Sequence, residues 1–275
     1  MTIIKYNPTS AGRRSGSVLR DAALSTNGPE KSLVVTRHRN YGRNAHGRIT
    51  SRHRGGGHKR MYRVIDFRRD HDGVPATVAE LQYDPGRSAS IALLHYADGR
   101  KAYIIAPLGL AQGAKVMSGP QAEPTVGNAL PLSKMPLGAE IHCLELEPGR
   151  GAKLGRSAGC VIRLASREGD YATVIMPSGE MRKVHVDCRA TLGQVGNLDH
   201  ALVSIGKAGR NRHKGWRPYV RGSAMSPYAH PLGGGEGRMG AGREPCSPTG
   251  VLSKGGLTRN PRKTSGRMIV RKRKK

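Results

Sequence analysis

Between Met61 and Val186 apolar and polar residues alternate in short runs. A period of two turns one face of a strand toward a core and the other away from it. Met61–Phe67 alternates, as does Ala76–Tyr83, where Thr77, Ala79, Leu81 and Tyr83 share a face. Ser90–Tyr96 is a short, almost continuous apolar run, and Lys101–Ala106 follows it after the turn signal Asp98–Gly99. The same criteria predict strands at Glu140–Leu146, Cys160–Ala165, Tyr171–Met176 and Met181–Val186. Asp72–Gly73, Asp84–Pro85–Gly86, Glu168–Gly169 and Ser178–Gly179 supply tight-turn chemistry between runs. Many short strands without a sustained helical period predict an all-β protein built of barrels or sandwiches. The Gly- and Pro-rich stretch around Val116–Met135 divides the strands into two sets. Two small barrels of roughly 65–70 residues each are therefore expected.

The flanks lack this patterning. In the first sixty residues Val18–Leu19 and Leu33–Val34–Val35 are isolated apolar spots among Gly, Ser, Asn and Arg. Beyond residue 200, Gly233–Gly234–Gly235, Gly240, Gly242, Gly255–Gly256 and the prolines from Pro218 to Pro248 leave no room for a long helix or strand. Charge sharpens the division. The 275 residues include 47 Lys and Arg against 19 Asp and Glu, a net +28. Residues 1–69 carry +13, residues 70–200 carry −1 and residues 201–275 carry +16. The centre has the balance of an ordinary globular domain. Low hydrophobicity with high charge predicts flanks that stay extended until a polyanion neutralises them. The expected organisation is a basic arm over 1–60, a barrel over 61–125, a second barrel over 126–200 and a basic arm over 201–275.

Several function classes recede on the same grounds. No apolar run approaches the ~20 residues of a membrane span. The start, MTIIKYNPTS, lacks the charged head and apolar centre of a secretory signal. The four cysteines, Cys143, Cys160, Cys188 and Cys246, are widely spaced with no CxxC pair. That spacing argues against a metal site or a disulfide framework and fits a reducing cytoplasm. The acids scatter through the neutral centre without a paired or His-coupled arrangement, so no enzymatic activity is expected.

Two basic blocks carry the candidate chemistry. In Gly42–Arg69, GRNAHGRITSRHRGGGHKRMYRVIDFRR, nine Lys and Arg meet a single acid, Asp66. The Arg fork matches phosphate oxygens and stacks on bases. Gly55, Gly56 and Gly57 allow backbone N–H groups to approach a phosphate closely. No Gly-Lys-Ser/Thr follows them, which excludes a nucleotide-hydrolase phosphate loop. His46, His53 and His58 have no carboxylate or cysteine among them, so bases or 2′-hydroxyls suit them better than a metal ion. In the second block, GKAGRNRHKGWRPYVR over 206–221, Lys207, Arg210, Arg212, Lys214, Arg217 and Arg221 alternate with Trp216 and Tyr219. Aromatics among cations are what nucleic-acid bases stack on.

The runs GRITSRHRGGGHKRMYRVIDFRR, YDPGRSASIALLHYADG, LGRSAG, GKAGRNR and RGSAMSPYAHPLGGGEGR follow one another along the chain. Together they resemble the family of the second protein of the large ribosomal subunit, over essentially the whole length. The GGGEGR ending is closer to bacterial and organellar members than to archaeal or eukaryotic ones. The resemblance implies an OB-like barrel followed by an SH3-like barrel, with long extended basic N- and C-terminal arms. It implies binding to large-subunit rRNA near the peptidyl transferase centre, a part in subunit association, and support for tRNA binding and peptide-bond formation. The partners implied are that rRNA, other ribosomal proteins and the small subunit, in the cytoplasm and away from membranes. No cofactor is expected beyond Mg2+ or other ions bridging to rRNA.

Position by position, Arg48, Arg52, Gly55, Gly56, Gly57, His58, Lys59, Arg60 and Arg68 match the family's RNA-contacting segment. Arg87, Arg156, Lys207, Arg210, Arg212 and Arg217 match later basic positions. The residues themselves add Arg43, His53, Arg63, Arg69, Trp216 and Arg221 to the expected rRNA-binding set, and the resemblance through the GGGEGR loop adds Gly233, Gly234, Gly235 and Arg238. His230 matches a histidine considered important for peptidyl transfer in this family. The family pattern reads roughly AMNPVDHPHGGGEGR, whereas this chain has Ser226, Tyr228–Ala229 and Leu232 in that loop. Losing the acid beside His230 removes a natural partner for raising an imidazole pKa. His230 is therefore expected to pack a Gly-rich loop against RNA, and no residue is assigned to catalysis.

Overall fold

The computed structural model describes residues 2–36, 38, 41–236, 242–255 and 258–273. The chain divides into two compact units, one of residues 1–38, 59–207 and 267–275, the other of 39–58 and 208–266.

The first unit is mostly β-structure. β1 (Thr2–Lys5) pairs antiparallel with β2 (Ser17–Arg20) across the one-turn helix α1 (Ala11–Arg14). β3 (Val34–Thr36) pairs with β4 (Met61–Arg63). β5 (Ala76–Gln82), β6 (Ile91–Tyr96), β7 (Lys101–Ile105) and β8 (Lys115–Val116) form a sheet in the order β7-β6-β5-β8, with a bulge between Val78 and Glu80. β9 (Ala129–Pro131), β10 (Glu140–His142), β11 (Ile162–Glu168), β12 (Tyr171–Ile175), β13 (Met181–His185), β14 (Arg189–Leu192) and β15 (Ile269–Arg271) form a second sheet, ordered β15-β13-β12-β11-β10-β14-β9. All ladders between these strands are antiparallel. The curled sheets are those expected, an OB-like barrel followed by an SH3-like barrel.

Side-chain alternation explains why Ser90–Tyr96 reads as continuously apolar. On β6, Ala92, Leu94 and Tyr96 face one cluster with Val78, Ala102 and Ile104, while Ile91 and Leu93 face another with Ile65, Tyr103, Ile105 and Val195. A strand buried on both faces loses its polar half. Tyr103 satisfies its hydroxyl within that interior, donating to Gln82 Oε1 at 2.8 Å and accepting from the Glu30 N–H at 2.8 Å. The second sheet wraps a larger core that includes Leu130, Leu132, Ile141, Leu144, Ile162, Leu164, Val174 and Val184.

All eight predicted strands are present, each trimmed by one to four residues at an end, while Ile162–Glu168 runs three residues past its expected end. The flanks of the first unit are more ordered than their composition predicts. Leu33 packs on the cluster around Tyr103, and the Ser25 N–H bonds the Leu81 carbonyl at 2.8 Å. At the other end Ile269–Arg271 adds a strand to β13, where the sequence reads as a basic arm. These pairings join segments distant along the chain, so no local pattern announces them.

The second unit holds little regular structure: the short helix α2 (Ala208–His213), 3-10 turns over Gly222–Ala224 and Thr264–Gly266, and a run of turns. Cys246 is its sole buried hydrophobic side chain among the described residues.

Candidate nucleic-acid interface

In the second unit the two basic blocks of the sequence lie side by side. The Gly55 N–H donates to the Gly215 carbonyl (3.1 Å), the His58 N–H to His213 (2.9 Å) and the Arg217 N–H to His53 (3.1 Å). Arg54 and Trp216 form an antiparallel bridge at the centre of this ladder. The three glycines make the approach feasible. Gly55, Gly56 and Gly57 all have positive φ, and a Cβ on Gly57 would sit 2.9 Å from the Gly215 backbone. A side chain there would force the two segments apart.

The ladder displays its cations. Arg43, Arg48, Arg52, His58, Arg212, Trp216, Arg217 and Arg221 are exposed, while His53, Gly57 and Arg210 are half-buried and Gly55 is buried. The Arg54 guanidinium lies 3.6 Å from the centre of the Trp216 ring, a close cation–π contact. The His53 ring leans on Tyr219 at 4.8 Å between centroids and faces the Pro218 carbonyl through Nδ1 at 3.0 Å. Tyr219, which the sequence places with Trp216 among the cations of the second block, is 71% exposed.

The loop around His230 is built inward. The Ala229 N–H bonds the Ser226 carbonyl (2.9 Å), the Gly233 N–H bonds His230 (2.9 Å) and the Gly234 N–H bonds Met225 (3.0 Å). His230 is buried, and a Cβ on Gly222 would fall 2.5 Å from its ring. The Leu232 N–H donates to His230 Nδ1 at 3.0 Å. Nδ1 is thereby turned to the backbone of its own loop. The ring holds the loop together. Gly233 and Gly234 are half-buried within it, Gly235 is exposed, and Tyr228 is fully exposed at its tip. Arg238 lies outside the described residues.

In the first unit the expected cations sort into three kinds. Lys59, Arg68, Arg156 and Lys207 are exposed. Arg60, Arg63 and Arg87 are half-buried and engaged with protein. Arg60 Nη1 donates to the Pro85 carbonyl (2.7 Å), and Asp84 accepts from Arg87 Nε (2.7 Å) and Arg63 Nη1 (3.4 Å). The guanidinium groups of Arg87 and Arg156 lie 5.8 and 4.8 Å from the ring centre of Phe67, the only phenylalanine. Asp84 is buried and fixes the direction of both its partners, a role the sequence does not disclose.

Arg69 is the third kind and corrects an expectation. It is 5% exposed, donating through Nε to Ser118 Oγ (2.9 Å) and through Nη1 and Nη2 to the Gly127 carbonyl (3.2 and 3.3 Å). Burial pushes its pKa down from the usual range. Its guanidinium is engaged in joining the two barrels. Its surroundings include His142, whose Nδ1 faces the Gly193 carbonyl at 2.8 Å and whose pKa is depressed to about 4 by burial. Cys143 lies there too, its thiol pushed up to about 12 by burial.

The four cysteines are free. Among the described residues no group of three or more His, Cys, Asp or Glu side chains could hold a metal ion, and no helix is long and apolar enough to cross a membrane.

Two family models match the chain. One, described as Ribosomal Proteins L2, RNA binding N-terminal domain, covers residues 30–118, and the other, Ribosomal Proteins L2, C-terminal domain, covers residues 125–250. Matched in order, the two span most of both barrels and the ladder that pairs the basic blocks. The chain belongs to the L2 family of ribosomal proteins, structural RNA-binding proteins of the large subunit.

Proposed function

We infer that this chain binds large-subunit rRNA close to the peptidyl transferase centre, and that it supports subunit association, tRNA binding and peptide-bond formation without supplying a reacting group. The observation that carries this is the pairing of the segment 53–58 with 213–217. It converts two remote basic blocks into one cation-rich face of fixed geometry, suited to folded RNA more than to a uniform rod of charge. The residues expected to make the contacts are the exposed cations of that face, together with Arg68, Arg156 and Lys207 on the first unit. Contacts with other ribosomal proteins and with the small subunit belong to the same proposal, as does a cytoplasmic, bacterial-type ribosome. Mg2+ ions, where they bridge protein and rRNA, would be held chiefly by phosphates.

The test is reconstitution of large subunits with wild-type protein or with His230→Ala. The variant should slow assembly or weaken docking to rRNA, while particles that do form retain peptidyl transfer in proportion to their tRNA occupancy. Fully assembled particles that bind tRNA normally yet have lost peptidyl transfer would overturn the structural role. Binding to rRNA fragments and to duplex DNA over a salt series provides a second check. Equal affinity for both at every salt concentration would contradict recognition of folded rRNA.

A further inference from the structure

The second unit makes unusual use of its aromatic residues. It holds four, Tyr41, Trp216, Tyr219 and Tyr228, and all are exposed, from 45% for Trp216 to complete exposure for Tyr228. In the first unit, by contrast, Tyr96 and Tyr103 are core residues. Two of the exposed rings are braced from behind. Arg54 covers one face of Trp216 at 3.6 Å, and His53 supports Tyr219 at 4.8 Å. Both braces come from adjacent residues of one strand of the ladder, and both rings come from the other. A ring held in this way surrenders little further freedom when something stacks on it.

We propose that Trp216 and Tyr219 are stacking platforms for unpaired RNA bases, so that this unit docks on a single-stranded loop or junction and not along a helix. Within a helix each base has both faces covered by its neighbours, and only a splayed base can lay a face on a protein ring. Trp216 offers such a base the face opposite Arg54, which would complete a guanidinium–indole–base stack. The charge suits the same occupant. The unit carries sixteen Lys and Arg against two Glu, enough cations to follow the phosphates on either side of the stacked bases. This rests on the RNA-binding reading and deepens it.

Trp216 is the only tryptophan in the chain, so its fluorescence reports the stack directly. The full-length protein is titrated with a short single-stranded RNA and with an RNA duplex of equal length, across a salt series. The single strand should quench Trp216, whereas the duplex should bind with little quenching. Trp216→Ala and Tyr219→Ala should each weaken single-strand binding by about tenfold, with the salt slope and duplex binding unchanged. Trp216→Phe keeps a ring, controls for misfolding, and should recover most of the loss. Equal quenching by duplex and single strand would overturn the proposal. So would wild-type single-strand affinity in both alanine variants. In either case duplex binding, followed for every variant by the anisotropy of a labelled RNA, still reads RNA binding itself.

Discussion

Arg68 and Arg69 are neighbours of identical chemistry that the fold assigns to opposite tasks. Arg68 is exposed, whereas Arg69 is buried at the junction of the two barrels. Arg69→Met keeps the length and apolar body of the side chain. It also keeps the backbone at the same positive φ of 52°, so the comparison isolates the guanidinium. The substitution strands two buried acceptors, Ser118 Oγ and the Gly127 carbonyl, each costing about 1–3 kcal/mol when left without a donor. Removing a buried cation returns part of that, because its desolvation opposed folding. The expected net loss is about 3 kcal/mol, or about 6–12 °C in Tm for a body of this size. Thermal unfolding followed by circular dichroism measures it. RNA binding at a temperature where the variant is folded should keep the wild-type salt slope. Arg68→Ala should behave inversely, leaving Tm within about 0.5 kcal/mol equivalent and lowering the salt slope by about one phosphate contact. An Arg69→Met protein as stable as wild type, but with a shallower salt slope, would refute the division of labour.

Three further outcomes are expected. Asp84→Asn should destabilise the first unit by about 3–5 kcal/mol, since Arg63 and Arg87 would be left half-buried without their counter-ion; unchanged urea unfolding would contradict this. His142 should make stability fall with acid. Its pKa is depressed in the folded state to about 4 from 6.5, so the stability is fully present above pH 6.5 and is lost as pH drops toward 4. The full effect is about 3 kcal/mol, and His142→Phe should flatten the slope of unfolding free energy between pH 6.5 and 5. Cys143 and Cys188, whose thiols burial pushes to about 12, should resist a disulfide reagent at pH 8 until the protein unfolds; rapid native labelling of either, read by peptide mapping, would contradict this.

The alternation of Ala76–Tyr83 and the turn at Asp98–Gly99 suffice to place the strands of the barrels, because each such pattern is local. β9 contains Pro131, β8 has only two residues, and β14 lies between Cys188 and Gly193 with three of its four residues buried. None of these has a period long enough to read, and each exists because a partner strand from elsewhere pairs with it. The same limit governs the interface. Composition finds Arg54 and Trp216 separately, but their stacking depends on a ladder between segments about 160 residues apart. A charge count likewise weighs Arg68 and Arg69 equally, since burial is a property of the assembled barrels and not of the dipeptide. The lost acidic neighbour of His230 is legible in the sequence, whereas its burial and the Leu232 N–H bond to its Nδ1 are not.

β15 sets a timetable for synthesis. β13 is complete at His185, but the strand that covers its outer edge begins at Ile269, more than eighty residues later. A ribosome adding residues in order delivers the whole of 208–266 before that strand emerges. Throughout the interval the margin of the second barrel presents open N–H and C=O groups, the kind of edge to which stray strands attach. Here β13 reads MRKVH, with Arg182 and Lys183 placed along that open margin as gatekeepers. The nascent chain is thereby shielded by its own cations until Lys183 can give its N–H to Met268 and the sheet is sealed.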